Sequence, residues 1–214
     1  MSATTPIEFI EFPNFGFLKV RLPNELFLNL IKESEKFNIN TEVKTALSAG
    51  LGIPKHMEIK DNFDELSEFV FKTANEYNQY YDYMSTIKVS SKNLKLKTQS
   101  PWFNYQKKHD FLPNHHHDGI LSYSGWIKIP YDLSNEQKNN SDNRATASVF
   151  EFSYNASNGT QMGQLLPIDK TWEGYMIMFP SNLRHCVYPF YTSDETRISF
   201  AGNILLDSSG ATYD

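Results

Sequence analysis

The chain has 214 residues, of which 40% are hydrophobic and 21% charged, a composition typical of a folded globular domain rather than a disordered chain. Its 20 Lys and Arg residues and 25 Asp and Glu residues give a formal net charge of −5. This charge argues against a nucleic-acid binder with a broad basic face, although a local basic groove is compatible with it. Cys186 is the single cysteine, which excludes a disulfide framework and a cysteine-rich zinc site and favours a reducing, cytoplasmic compartment.

Neither a signal peptide nor a membrane-spanning helix is predicted. Residues 1–6 lack the basic start and the apolar stretch of a signal peptide. No window approaches the roughly 18 uninterrupted apolar residues that a membrane helix needs. We therefore expect no membrane partner.

Apolar residues at helical spacing predict two helices in the first 90 residues. The first covers residues 23–31 and begins at Pro23, a residue suited to the first turn of a helix. The second covers residues 61–84 and has acidic residues at its start, where the helix dipole favours them. Residues 1–90 are thus expected to form a helical and β support region packed on the rest of the chain.

After residue 90 the apolar pattern alternates with a period of two, which predicts short strands. Candidate strands are residues 94–96, 102–106, 121–129, 148–154, 174–179, 187–191 and 197–206. Polar clusters at residues 134–143 and 155–163 predict turns. The Asn, Ser, Asp and Lys residues within 135–144 indicate an exposed loop there. This pattern indicates a mainly β sandwich or barrel over residues 91–206 with flanking helices, followed by a flexible tail at 207–214.

Three consecutive histidines form the most informative feature of the sequence. His115, His116 and His117 are followed by Asp118. Side chains alternate along an extended chain, so His115 and His117 share one face while His116 and Asp118 share the other. Such a run is also compatible with an exposed polar loop or an incidental metal-binding tract.

Later residues suggest that this run contributes to an iron site. His185 starts a later strand, and Arg197 lies twelve residues beyond it. Two ligands spaced two apart on one strand, with a third from a neighbouring strand, cover one face of a metal and leave positions for a cosubstrate and O2. Arg197 suits the far carboxylate of a dicarboxylate cosubstrate, and Ser199 points to the same side.

Three further residues are candidates for contacts with the cosubstrate. Asn104 and Gln106 share one face of the strand before the histidine run and could bind cosubstrate or substrate, although a role in the sheet or core fits equally. Tyr123, on the strand after the run, is a candidate for a hydroxyl contact with the cosubstrate carboxylate. His56 and His109 have no partner at a ligand spacing, which predicts surface or core positions for them. Cys186 is expected to be a small buried residue facing away from the metal.

Several sequence runs resemble one oxygenase family. They are Trp-Phe-Asn-Tyr-Gln-Lys-Lys at 102–108, Pro-Asn-His-His-His-Asp-Gly at 113–119, Trp-Ile-Lys-Ile-Pro-Tyr at 126–131, Gly-Tyr-Met-Ile-Met-Phe-Pro-Ser at 174–181, Leu-Arg-His at 183–185 and Arg-Ile-Ser at 197–199. Together they resemble the 2-oxoglutarate/Fe(II) oxygenases found often in phages of marine bacteria. The resemblance covers residues 100–205 and is weak over the first third of the chain.

The resemblance implies a double-stranded β-helix, or jelly-roll barrel, with the cofactors Fe(II) and 2-oxoglutarate bound inside it. The family's Pro-x-His-x-His-x-Gly motif falls on Pro113, His115, His117 and Gly119. Its distal metal ligand and its oxoglutarate arginine fall on His185 and Arg197.

The histidine run leaves three registers open. His115 and His117 would complete an all-histidine set, whereas His116 and Asp118 would complete a set of two histidines and one carboxylate. His117 with Gly119 would leave one ligand position vacant, as in iron halogenases. A one-residue slip turns every side chain to the other face, so only one register can hold the metal.

The resemblance implies an oxygenase, most simply a hydroxylase, that couples oxidative decarboxylation of 2-oxoglutarate to oxidation of a small-molecule or peptide substrate by O2. One alternative is an oxoglutarate-independent metal enzyme on the same barrel, such as a three-histidine dioxygenase or a cupin-like enzyme. Another is a non-enzymatic, phage-associated binding module. The edge strands of a jelly roll are compatible with a homodimer.

Overall fold

The computed structural model describes residues 14–37, 42–43, 54–87, 95–138 and 146–207. The helices are α1 (Asn24–Ser34), α2 (Phe63–Tyr81) and α3 (Leu133–Lys138). The strands are β1 (Leu18–Arg21), β2 (Glu42–Val43), β3 (Lys55–Glu58), β4 (Lys95–Thr98), β5 (Trp102–Gln106), β6 (Leu112–His115), β7 (Leu121–Lys128), β8 (Val149–Asn155), β9 (Gln161–Pro167), β10 (Tyr175–Pro180), β11 (Arg184–Val187) and β12 (Arg197–Asp207). Strand is the main secondary structure, as predicted.

The strands form two sheets. The large sheet has the order β1-β10-β7-β12-β5-β3-β2, and β4 pairs with the far end of β12. The small sheet has the order β6-β11-β8-β9. Two facing antiparallel sheets of this kind are consistent with a jelly roll.

A hydrophobic core fills the space between the two sheets. Trp126, Ile177 and Phe179 from the large sheet pack against Phe150 and Phe152 from the small sheet. The core lies between the sheets because these residues alternate with others that face outwards, which is the period-two pattern of the sequence.

A second core lies between the large sheet and the two long helices. Leu26 and Leu30 of α1 and Val70 of α2 pack against Phe103 and Phe200 of the sheet, and all five are fully buried. The helix spacing of the apolar residues therefore predicted both helices and the faces that they bury.

The first third of the chain also contributes strands. β1 pairs with β10 at one edge of the large sheet, and β3 pairs with β5 near the other. The N-terminal part is thus not a separate helical layer, because its short strands extend the sheet that its helices cover.

Several predicted loops and strand limits were wrong. Residues 135–138 belong to α3 rather than to an exposed loop, and the buried carboxylate of Glu136 accepts hydrogen bonds from the N–H groups of Tyr191 and Thr192, both at 2.8 Å. Pro113 lies within β6, which was not among the candidate strands. The strand expected at 187–191 is β11, which ends at Val187, and β9 was not predicted.

Other predictions fall partly outside the described residues. This applies to residues 139–144 of the expected loop and 208–214 of the expected tail, whereas Asp207 is the last residue of β12. No helix in the described ranges is both long and apolar enough to cross a membrane.

A buried carboxylate joins the end of α1 to the start of α2. Glu33 is 4% exposed, and its oxygens accept hydrogen bonds from the N–H groups of Lys60 (2.6 Å), Asp61 (2.8 Å) and Asn62 (3.2 Å). The side-chain amide of Asn62 donates a fourth, at 2.7 Å. The negative charge of Glu33 also lies near the N-terminus of α2, where it interacts favourably with the helix dipole.

Glu33→Ala is expected to lower the free energy of unfolding by about 2 kcal/mol, because it leaves several donors without their charged acceptor. Urea denaturation followed by circular dichroism would measure this change. Glu76→Ala, on an exposed turn of α2, is the matched control and should change stability by less than about 0.5 kcal/mol. Equal effects of the two substitutions would contradict the anchoring role of Glu33.

Candidate metal centre

Strand pairing brings three histidines together at one end of the small sheet. β6 and β11 run antiparallel with His115 directly opposite His185. His117 lies two residues further along, where its N–H donates to the carbonyl of Ser181 at 2.9 Å and holds the chain beside β11. The ring centroids are 4.3 Å apart for His115 and His185, 5.1 Å for His117 and His185, and 5.0 Å for His115 and His117.

The geometry of the three rings suits a single metal ion. One ring nitrogen of each histidine lies within 4.8 Å of those of the other two. His115, His117 and His185 come from two neighbouring segments of the sheet, so they approach one point from different directions. This arrangement can cover one face of a metal and leave the opposite face open.

Backbone carbonyls fix the tautomer of two of the rings. His115 Nδ1 lies 2.7 Å from the carbonyl oxygen of Pro113, and His185 Nδ1 lies 3.0 Å from that of Leu183. A carbonyl oxygen can only accept, so each Nδ1 must carry the proton and each Nε2 keeps its lone pair. Metal-binding histidines in proteins are commonly held by this kind of outer hydrogen bond.

Burial keeps the three rings uncharged. It lowers the pKa of His117 to about 4, with a smaller contribution from the neighbouring histidines, and it lowers the pKa of His115 and His185 as well. Phe150 stacks on His185 with 5.3 Å between centroids, and Phe179 meets the same ring edge-on at 5.0 Å. Three neutral imidazoles are the form in which histidine binds a metal.

The other two residues of the run face outwards. His116 and Asp118 are exposed and lie outside the group of three. Gly119 has a structural reason to be glycine, because its φ is 114° and a Cβ there would lie 2.7 Å from the carbonyl oxygen of Ile204.

The wall opposite the histidines carries a row of polar side chains. His56 on β3, Asn104 on β5 and Ser199 on β12 are register partners on three adjacent strands. The Asn104 amide nitrogen lies 3.4 Å from Ser199 Oγ, and Trp102 Nε1 donates to Asn104 Oδ1 at 3.1 Å. All four residues line the same cavity as the three histidines.

The remaining lining residues of this cavity are largely apolar. They include Leu112, Phe150, Phe179, Val187 and Ala201. The site can therefore exclude water around a bound metal while it offers a few hydrogen-bonding groups, as ligand pockets commonly do.

Arg197 is buried beside this cavity with neutral partners. It is 2% exposed, and its guanidinium donates to Gln106 Oε1, to the hydroxyl of Tyr131 (2.9 Å) and to the carbonyl of Tyr188 (3.1 Å). Within the described residues, no carboxylate lies at ion-pair distance from it. A buried cation without a counter-charge is costly for a fold, so the position suits an anionic ligand.

Tyr123 lies at the cavity wall, but its ring faces the helix side of the large sheet. It packs in the core with Phe200, at 6.4 Å between centroids, and a Cβ on Gly202 would lie 2.3 Å from its hydroxyl. The hydroxyl is fully buried and has no hydrogen-bond partner among the described residues. This packing does not favour the predicted contact with a cosubstrate.

Sequence reasoning missed two residues of the site. His56 was expected at the surface or in the core, yet it is 4% exposed at the cavity wall. No sequence pattern indicated Tyr131, because it lies beyond the end of β7 and is brought to Arg197 only by the fold. Gln106 was a candidate, because it shares the strand face of Asn104, and it lines the cavity. Cys186 is buried on the face of β11 opposite His185, near Glu151, as expected.

Comparisons with known proteins indicate one enzyme family. A family model described as "Putative 2OG-Fe(II) oxygenase" matches residues 100–203. No curated protein matches the chain.

Solved structures show the same fold at low identity. A prolyl-4-hydroxylase from Pseudomonas putida is 14% identical, with a TM-score of 0.55, and the match covers 88% of this chain and 91% of that one. HygX from Streptomyces hygroscopicus, solved with nickel, 2-oxoglutarate and hygromycin B, is 11% identical, with a TM-score of 0.55 and coverage of 89% and 82%. A prolyl hydroxylase from Trichoplax adhaerens, in complex with a hypoxia inducible factor peptide fragment, is 11% identical, with a TM-score of 0.50 and coverage of 92% and 88%.

The matched segment contains all three histidines and Arg197. Over residues 100–203 the chain matches the model of the 2OG-Fe(II) oxygenase family, an oxidoreductase family that uses Fe(II) and 2-oxoglutarate.

Proposed function

We propose that the protein is an Fe(II)- and 2-oxoglutarate-dependent oxygenase, most simply a hydroxylase, with His115, His117 and His185 as its metal ligands. The observation that carries this proposal is the group of three uncharged histidines whose ligand nitrogens lie within 4.8 Å of one another. The two fixed tautomers support it, because they leave Nε2 of His115 and His185 ready to bind. The exposure of His116 and Asp118 favours a metal site with His115 and His117 over one with His116 and Asp118.

Arg197 and Tyr131 are proposed to bind the far carboxylate of 2-oxoglutarate. The guanidinium is permanently charged, buried and without a counter-ion among the described residues, and the Tyr131 hydroxyl lies beside it. A carboxylate would neutralise this charge and form charge-assisted hydrogen bonds. Ser199 and Asn104 line the cavity between the two ends and could orient the cosubstrate or the substrate.

The bound iron and 2-oxoglutarate would supply the chemistry, in which oxidative decarboxylation of the cosubstrate to succinate and carbon dioxide is coupled to oxidation of the substrate by O2. The chain's own residues would orient the reactants and exclude water. Phe150 and Phe179 surround His185 and form the apolar side of the cavity. A dry cavity strengthens the interaction of Arg197 with an anion.

We also propose that the sheets form the double-stranded β-helix of this family and that residues 91–206 are its catalytic core. Pairing of β1 and β3 with core strands supports a single structural domain that includes residues 1–90. We propose a small molecule or a peptide as the substrate, because both classes occur among the similar structures. The HygX structure contains hygromycin B, and the Trichoplax adhaerens enzyme was solved with a peptide.

One alternative function is compatible with the metal ligands. An all-histidine metal set also suits an oxoglutarate-independent dioxygenase on the same barrel. The buried Arg197 favours the oxoglutarate-dependent reaction, because an enzyme without a dianionic cosubstrate gains nothing from an uncompensated buried cation.

His115→Ala and His185→Ala are expected to abolish stoichiometric Fe(II) binding and the visible metal-to-ligand charge-transfer band that forms when 2-oxoglutarate is added without oxygen. His116→Ala is the matched control from the same run and should keep both. Absorption spectroscopy under anaerobic conditions would measure the band. Loss of the band in His116→Ala or Asp118→Ala, with retention in His115→Ala, would move the site to the other register.

Arg197→Met is expected to raise the Kd for 2-oxoglutarate about 100-fold, because a buried charged partner is removed. Arg197→Lys should give a smaller loss, since lysine cannot bind a carboxylate through two parallel N–H groups. Titration of the charge-transfer band would measure both. Arg184→Met, an exposed arginine on β11, is the control and should bind normally. An unchanged Kd in Arg197→Met would refute the assignment of the carboxylate site.

Tyr123→Phe separates the packing role of Tyr123 from the cosubstrate contact predicted by the sequence. It removes a buried hydroxyl that has no partner among the described residues, so stability should stay constant or rise by about 1 kcal/mol. The Kd for 2-oxoglutarate should not change. Thermal denaturation and the band titration would test these two outcomes, and a markedly weaker Kd would restore the predicted contact.

A further inference from the structure

Gln106 lies directly against the arginine of the proposed cosubstrate site. It is 4% exposed, lies on β5 and is the register partner of Arg197 on β12. Its amide oxygen accepts from Arg197 Nε at 3.1 Å and from Nη2 at 2.5 Å. One neutral oxygen therefore occupies the edge of the guanidinium that a carboxylate would bind with two oxygens.

Gln106, unlike Arg197, lines the cavity that contains His115, His117 and His185. A ligand that extends from the histidines towards Arg197 therefore meets Gln106 first. The other end of the Gln106 side chain is held as well, because its amide nitrogen donates to the carbonyl of Asp110 at 2.6 Å.

The contacts of Arg197 hold its position without neutralising its charge. The hydroxyl of Tyr131, the carbonyl of Tyr188 and the amide oxygen of Gln106 are all uncharged acceptors. Hydrogen bonds to an ionised acceptor are roughly twice as strong as those to a neutral one. A carboxylate can consequently replace the Gln106 oxygen, whereas a neutral ligand group gains little from doing so.

We propose that Gln106 is a built-in competitor for Arg197, which the far carboxylate of the cosubstrate must displace. Gln106 thereby weakens the binding of 2-oxoglutarate and narrows its advantage over 2-oxo acids that lack a second carboxylate, because those acids leave the hydrogen bonds between Gln106 and Arg197 intact. This inference rests on the proposed function and adds a specificity-determining residue to it.

Gln106→Met tests the competition, because methionine has a similar length and cannot bond to the guanidinium. It is expected to lower the Kd for 2-oxoglutarate about fivefold, because the ligand no longer has to break the two hydrogen bonds between Gln106 and Arg197. The Kd for 2-oxopentanoate, which has the same chain length and no second carboxylate, should stay unchanged. Anaerobic titration of the charge-transfer band with each acid gives both constants, and thermal denaturation verifies folding.

Gln106→Glu provides the opposite change at the same position. An internal carboxylate would neutralise Arg197 and is expected to raise the Kd for 2-oxoglutarate at least about tenfold, because it competes as an ion. Gln164→Met, an exposed glutamine on β9, is the matched control and should bind both acids like the unaltered protein.

Weaker or unchanged 2-oxoglutarate binding in Gln106→Met would overturn the proposal, because Gln106 would then support Arg197 rather than compete for it. Parallel changes for both acids would also overturn it, since they indicate a general effect on the cavity. Failure of the unaltered protein to bind 2-oxoglutarate, with iron bound, would instead refute the proposed function and this inference with it.

Discussion

The antiparallel register of β6 and β11 is the constraint on which the candidate metal centre depends. It sets His115 directly opposite His185 and, by alternation, turns His116 and Asp118 to the outside. A slip of one residue would exchange these two pairs and bury a carboxylate among the aromatic rings around His185. The small sheet thus groups His115 and His117, rather than His116 and Asp118, with His185, and it does so through backbone pairing rather than through the chemistry of the side chains.

The two ends of the cavity share an electrostatic principle. At one end, burial keeps three imidazoles neutral, so their lone pairs are available to a cation. At the other end, a buried guanidinium is held only by neutral acceptors, so its charge is available to an anion. The buried guanidinium is unfavourable for the protein alone, and an anionic ligand relieves that cost. A metal cation joined to a dicarboxylate satisfies both ends at once.

Local patterns in the sequence were sufficient for much of the fold. Helical spacing predicted α1 and α2, and alternation predicted the strands that carry Asn104 and Ser199. The strand that carries His115 was not among the candidates, and the strand that carries His185 was expected at residues 187–191 instead. Features that depend on distant pairing were not accessible in this way. Tyr123 and Ser124 are neighbours on β7 and both line the cavity, and only the packing of the helices shows that the Tyr123 ring belongs to the core on the helix side of the large sheet. Tyr131 reaches Arg197 across 66 residues of sequence, which no local pattern indicates.

The same reasoning explains why α3 was missed. Residues 133–138 are polar enough to read as a loop, but the buried Glu136 binds the N–H groups of Tyr191 and Thr192. The helix is thus stabilised by a contact with a segment more than fifty residues away. Its carboxylate anchors the stretch that leads into β12 and therefore supports the position of Arg197.

A crystal structure of the anaerobic complex with Fe(II) and 2-oxoglutarate would test the central claim most directly, because it shows both ends of the cavity together. We expect one iron bound to His115, His117 and His185, with the far carboxylate of 2-oxoglutarate bound to Arg197 and Tyr131. Iron bound by His116 or Asp118, or a far carboxylate located away from Arg197, would contradict it.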